Sequence, residues 1–189
     1  MRYAALLALG LLAAGAWASD RGSLDIAAGG GAWIPGLVAE DSELSAGPGF
    51  VLGFETPMDQ GNCIVLRTGY RMAGSDREGW SGLSAVPLTV GYRIFPFYRP
   101  YAGPRGLEPL MGVFGGGLLA WDSADDDAME TTTTGGGLIG VELGARMKVG
   151  EDRFLDLVVR PEYAPTGSRL AGEDDKDLSG LSFGAALIF

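Results

Sequence analysis

Two residue types that carry much protein chemistry are missing or nearly so. The sequence contains no histidine among its 189 residues, and its single cysteine is Cys63. Without histidine the chain lacks the commonest general base, and Cys63 has no imidazole to activate it as a nucleophile. A lone cysteine also forms no internal disulfide. These absences exclude histidine-dependent hydrolases and a disulfide framework, and a hydrolase that works without histidine stays as an alternative.

Basic residues are also scarce. The chain has 14 Lys and Arg against 24 Asp and Glu, which gives a formal net charge of −10. Proteins that bind nucleic acid offer cations to the phosphates. We therefore expect no nucleic-acid partner.

Long apolar runs are absent after the first residues. Residues 1–18 contain Arg2, an apolar stretch and the small residues Ala16 and Ala18 around Trp17, a pattern typical of a secretory signal peptide cut after Ala18. The apolar stretch is shorter than the ~20 residues of a membrane-spanning helix, and no later stretch approaches that length. We expect a signal peptide at 1–18 and one exported domain at 19–189.

Period-two alternation is the strongest positive signal. In residues 138–149, Ile139, Val141 and Leu143 occupy odd positions, whereas Glu142 and Arg146 occupy even ones. Such alternation predicts a strand with one apolar face. Comparable segments lie at about 23–34, 50–55, 64–72, 86–95, 108–121, 138–149, 155–163 and 181–189.

One face of all eight segments is free of charge, and the other face holds nearly all the charge. Only helices and closed barrels satisfy every backbone group within lipid, and the chain has no apolar helix after residue 18. The pattern predicts an all-β fold, an eight-stranded antiparallel up-and-down transmembrane β-barrel with its clean face toward lipid. A soluble β-sandwich or a soluble periplasmic carrier barrel is the alternative.

The charged face is expected to form a paired network inside the barrel. A three-residue turn at 150–152 would set Arg146 opposite Asp156 and Glu142 opposite Arg160, and a longer turn would bring two carboxylates together. Buried charges must be paired, so we interpret the network as a structural plug, with a gate as the alternative. Its predicted members are Arg67, Arg71, Arg93, Glu142, Arg146, Asp156 and Arg160, accompanied by Asp25, Glu55, Lys148 and Glu162.

The predicted outer loops are strongly acidic. Residues 36–48, 73–82, 122–135 and 164–177 hold 14 acidic and three basic side chains. Hard divalent cations bind several carboxylate oxygens, so one loop is a candidate site for Ca²⁺ or Mg²⁺, although its spacing is not that of an EF-hand. A solvated acidic loop without bound metal is the alternative, and no other cofactor is expected. The candidate ligands are Asp125, Asp126, Asp127 and Glu130.

The chain ends on an alternating strand, "LSFGAALIF". Together with the leader and the eight segments, this ending resembles the small OmpA/OmpW-type outer-membrane β-barrels of Gram-negative bacteria. The stretch "VPLTVGYRIF" also resembles their fourth strand, with Pro87 expected at its outer end because proline disrupts a ladder. In that family the last strand is read by the barrel-assembly machinery, and the matching positions here are Phe183, Ala185, Leu187 and Phe189.

The resemblance implies a monomer in the cell outer membrane. Its implied partners are outer-membrane lipid, lipopolysaccharide, periplasmic chaperones and the assembly machinery. We expect a non-enzymatic integral barrel whose acidic extracellular loops serve surface interaction or envelope integrity. The alternative is a narrow OmpW-like channel for small or hydrophobic solutes.

Overall fold

Strands make up almost all of the described chain. The computed structural model describes residues 24–36, 44–57, 61–76, 78–97, 106–124, 131–150, 153–166 and 177–189, so the predicted signal peptide lies outside it. No helix in these ranges has the length and apolar character needed to cross a bilayer. The strands are β1 Asp25–Pro35, β2 Leu44–Ser45, β3 Gly47–Pro57, β4 Asn62–Ser75, β5 Trp80–Ile94, β6 Leu107–Ala124, β7 Thr133–Lys148, β8 Phe154–Tyr163 and β9 Gly180–Ile188.

The sheet closes on itself. Its hydrogen-bonded order is β4-β3-β1-β9-β8-β7-β6-β5, and β5 pairs with β4 to complete the ring. All pairings are antiparallel, and the two-residue β2 is a short addition beside the loop end of β4. Ile26 and Phe189 exchange two backbone hydrogen bonds of 3.0 and 3.2 Å, which join β1 to the residue that follows β9. The predicted closed eight-stranded barrel is confirmed.

The outer surface of the wall is apolar. On β7, Ile139 and Leu143 are 60% and 54% exposed, whereas the intervening Glu142 is 2% exposed. Val90 on β5 and Val113 on β6 are likewise exposed. The period of two therefore separates an apolar exterior from an interior that carries the charge.

Glycine lets the strands approach each other on the concave side of this tight ring. A Cβ on Gly116, which faces inward, would lie 2.0 Å from the Leu88 carbonyl oxygen. Its outward-facing neighbours Gly115 and Gly117 have no heavy atom closer than 3.6 and 3.8 Å to such a Cβ. Within this triplet, the close approach of the neighbouring backbone therefore requires glycine only at position 116.

Pro87 does not lie where the sequence predicted it. It sits in the middle of β5 rather than at its outer end. Proline has no N–H to donate, and the β4–β5 pairing is interrupted here, between the pairs Thr68–Leu88 and Arg71–Ala85. The Thr68 hydroxyl donates a 3.0 Å hydrogen bond to the Pro87 carbonyl. That bond from a side chain partly replaces the missing ladder contact and makes the central position tolerable.

The strands at the loop end are longer than predicted. β4 runs to Ser75, β5 begins at Trp80 and β6 continues to Ala124, so parts of the predicted loops 73–82 and 122–135 are strand. These extensions contain glycine, serine and alanine, whose apolar alternation is weak. The ladder nevertheless continues through pairs such as Gly82–Ser123, because backbone pairing needs no large side chain.

Candidate functional site: the charged interior

Arg93 is the hub of the charged interior. Arg93 is 1% exposed, and its side chain enters the lumen from β5. Nη1 donates to Glu55 Oε1 and to Asp156 Oδ2, each at 2.6 Å, and Nε donates to Glu142 Oε1 at 2.7 Å. One guanidinium therefore joins carboxylates from three other strands, β3, β7 and β8.

Glu142 is the matching acceptor hub. Arg160 Nε donates to its Oε2 at 2.6 Å, and Arg67 Nη1 donates to the same oxygen. Arg93 donates a hydrogen bond to the other oxygen, Oε1. The desolvation of this 2%-exposed carboxylate is thus offset by three charge-assisted hydrogen-bond donors.

The two cross-strand pairs that the sequence predicted between β7 and β8 are present. Arg146 lies opposite Asp156 and donates to it through Nε at 2.7 Å. The same register places Glu142 beside Arg160. Arg146 also donates to Glu55 Oε2 at 2.6 Å and stacks over the Phe95 ring at 4.8 Å.

Further ion pairs cross the lumen. Arg71 on β4 donates to Glu162 on β8, and these strands are four positions apart in the eight-membered ring, so they form opposite walls. Arg67 on β4 reaches Glu142 on β7, three strands away. Side chains that meet across the centre of an eight-stranded barrel fill its interior.

An apolar cluster closes the loop end of the interior. Trp33, Leu118 and Leu138 are each at most 4% exposed, and Leu44 from the short β2 and Leu178 from the connection before β9 pack with them. Next to this cluster and the charged centre lies a partly open cavity of about 60 Å³, lined by interior residues such as Trp33 and Arg67 and by wall residues such as Phe183. The described interior thus consists of an ionic centre, this apolar cap at the loop end, and a second apolar cluster toward the terminal end formed by Cys63, Val65, Phe95, Leu110 and Val158.

The structure does not bring every predicted charge into the network. Lys148 is exposed, and Asp25 is only partly buried, opposite Glu55 at the terminal end. Sequence reasoning missed the interior roles of Trp33 and Phe95, and it missed the cross-lumen pairs. The interior parity of Trp33 on β1 was the available signal, but the glycine triplet beside it obscured that segment.

The other predicted sites are placed as follows. The candidate metal ligands Asp125, Asp126, Asp127 and Glu130 lie outside the described residues, and the described part of the chain contains no acidic, cysteine or histidine group arranged for a metal ion. Phe183 and Phe189 are exposed on the outer face of the last strand, with Ala185 and Leu187 on the same parity. The Arg153 guanidinium lies 5.7 Å above the Phe189 ring.

The fold makes small eight-stranded outer-membrane barrels the structural relatives of this chain. The crystal structure of Neisserial surface protein A superimposes with a TM-score of 0.60 at 12% identity, covering 87% of this chain and 93% of that chain. The outer-membrane protein OprG from Pseudomonas aeruginosa gives 0.62 at 12% identity, covering 89% and 95%. No protein-family model and no curated protein sequence matches the chain. The resemblance drawn from the sequence is confirmed at the level of fold.

Proposed function

We propose that this protein is an integral outer-membrane β-barrel without enzymatic activity, whose acidic surface loops serve surface interaction or envelope integrity. The observation that carries the proposal is the pairing of an apolar outer wall with an interior filled by bonded charges. In water such a wall would be a large exposed apolar surface. In a bilayer the same wall faces acyl chains, and the closed ladder leaves no backbone edge unpaired.

Long acidic loops at one end favour an orientation with both termini in the periplasm. Small barrels have short periplasmic turns and longer extracellular loops. At the end opposite Asp25 and Phe189 the connections 36–43, 125–132 and 164–179 are longer than the turns 58–61 and 149–153 at the terminal end, where the connection 95–106 is the exception. The predicted loops hold 14 acidic and three basic side chains. A surface of this charge would attract divalent or organic cations, with Asp125, Asp126, Asp127 and Glu130 as the proposed Ca²⁺ or Mg²⁺ ligands.

The interior supports a plug more than a channel. Arg71–Glu162 and Arg67–Glu142 cross the lumen, and Arg93 binds three carboxylates at its centre. Conduction would require several of these charge-assisted bonds to open together. The chain has no histidine to act as a general base. The buried carboxylates of Glu55, Glu142 and Asp156 are poorly suited to that role, because each is bound by arginine.

The test separates location from loop function. After expression of the full sequence, including the predicted signal peptide at 1–18, the protein should fractionate with outer membranes and run on gels with heat-dependent mobility. A variant with Asp125, Asp126, Asp127 and Glu130 changed to Asn and Gln should fold and locate normally but lose envelope protection or calcium binding. A water-soluble, detergent-free protein would contradict the location, and an unchanged envelope phenotype and calcium titration in the loop variant would contradict the loop function.

Planar-bilayer recording tests the plug against the narrow-channel alternative. The proposal predicts no steady conductance from the purified wild-type protein. Sustained openings that Glu142→Gln or Arg160→Gln alters would favour the channel and contradict the plug.

A further inference from the structure

The small, partly open cavity reaches from the barrel wall into the interior, and positive groups but no carboxylate line it. Arg67, Arg71 and Arg160 contribute to its wall together with Trp33 and Ser182. Its volume of about 60 Å³ exceeds the ~10–15 Å³ that one water-sized guest requires. Although Glu142 and Glu162 bind these arginines, neither carboxylate lines the cavity.

Two buried polar atoms at this cavity have no partner within the described part of the chain. They are Trp33 Nε1 and Ser182 Oγ, in residues that are 1% and 7% exposed. The strand registers explain why they converge, since Ser182 lies opposite Trp33 on one side and opposite Arg160 on the other. The Arg71 guanidinium stacks over the Trp33 ring at 5.6 Å, which holds the indole in place.

The chemistry of these groups selects the guest. An indole N–H and a guanidinium can only donate hydrogen bonds. A buried water must also place its own hydrogens on acceptors, whereas an anion accepts from every donor around it. The arginines Arg67, Arg71 and Arg160 line the cavity, whereas their carboxylate partners Glu142 and Glu162 do not, so the charged groups at the cavity are hydrogen-bond donors.

We propose that this cavity binds a small monovalent anion of the halide class, held by Trp33 Nε1, the Ser182 hydroxyl and the surrounding arginines. The ion completes the hydrogen bonding of the two orphaned groups. It thereby stabilises the boundary between the ionic centre and the apolar cap.

Bromide is the direct probe, because it scatters X-rays anomalously and replaces chloride. Crystals of the wild-type protein grown in bromide should show an anomalous peak in the cavity within hydrogen-bonding distance of Trp33 Nε1 and Ser182 Oγ. Density there without an anomalous signal would identify water and overturn the proposal. This experiment needs no variant and does not depend on the function of the loops.

A solution measurement tests the same site through its donors. The thermal unfolding midpoint of the detergent-solubilised protein should rise with chloride when gluconate, which is too large for the cavity, keeps the ionic strength constant. Trp33→Phe and Ser182→Ala should each weaken the apparent chloride affinity about tenfold, since each removes one hydrogen bond to a charged acceptor. Ser84→Ala, which removes a buried hydroxyl bonded to Tyr70 on the outer face, should leave it unchanged. Equal effects of chloride and gluconate, or an unchanged chloride response in both donor variants, would overturn the proposal.

Discussion

Glu142 is the residue on which most interior arginines depend. Arg67, Arg93 and Arg160 all donate to its two oxygens, and the carboxylate is almost inaccessible to solvent. Loss of its charge would leave three guanidinium groups in the interior with fewer carboxylates to bind. Removing one partner of a buried ion pair strongly destabilises the fold, because the remaining charge stays buried without compensation.

We therefore predict that Glu142→Gln lowers the free energy of unfolding by about 3–5 kcal/mol. The measurement is urea-induced unfolding of the refolded protein in lipid vesicles, followed by tryptophan fluorescence. The matched control is Glu78→Gln, because Glu78 is exposed in the turn between β4 and β5 and its charge is solvated. Equal stability of the two variants would show that the interior network does not hold the barrel together.

Residue-level partners were predictable from the sequence only between neighbouring strands. Arg146–Asp156 and Glu142–Arg160 follow from the length of one turn and from the repulsion that the other register would create. Arg71–Glu162 does not, because it joins opposite walls, and its geometry depends on ring closure and on how far each strand is staggered. The Thr68–Pro87 bond was also missed, because sequence reasoning treated proline only as a ladder breaker.

At the scale of the strand, the sequence predicted eight strands and the correct inward and outward faces. The alternation of Ile139, Val141 and Leu143 with charged residues fixes register, since a slip by one residue would turn every charge outward. The ends of the strands were harder to predict from the sequence, because β4, β5 and β6 extend through small residues whose alternation is weak. Close packing between strands was visible only in the structure.

The glycine triplet in β6 yields a prediction at this scale. Gly116→Ala should destabilise the barrel by about 1–3 kcal/mol, because its Cβ would lie 2.0 Å from the Leu88 carbonyl and the strands would have to separate. Gly117→Ala is the control within the same triplet, with its nearest neighbour 3.8 Å away, and should change stability by less than about 0.5 kcal/mol. Urea unfolding midpoints of the two variants decide the matter, and similar values would contradict the close approach.

The last strand gives a second prediction. Phe189 remains in the ladder with β1 although it is the final residue, and its ring is exposed on the outer face. If its role is recognition during assembly, Phe189→Ala should reduce the amount of barrel in the outer membrane several-fold, whereas refolding of the purified variant in detergent should change little. Phe97→Ala is a control with a similarly exposed ring. Normal membrane levels of the Phe189 variant would show that the terminal ring is not a signal.

The whole molecule separates two environments by the parity of its strands. Side chains of one parity form the apolar exterior, and those of the other parity form the ionic centre and the apolar cap. The sequence was sufficient to predict the apolar exterior and the charged interior, because alternation and charge agree along most strands, but it did not predict the apolar cap. It also predicted a paired network that plugs the lumen, but it was not sufficient to predict that single side chains such as Arg93 reach several strands at once.

Nitroxide labelling in a reconstituted bilayer tests this central claim most directly. The buried Cys63 is first replaced by alanine, and single cysteines are introduced at Val90, Ile139 and Leu157 on the outer wall and at Glu78 in a turn. The account predicts that lipid-soluble oxygen relaxes the three wall labels, whereas a water-soluble nickel reagent relaxes only the label at Glu78. Wall labels that the nickel reagent reaches as readily as it reaches Glu78 would contradict a barrel whose apolar face lies against lipid.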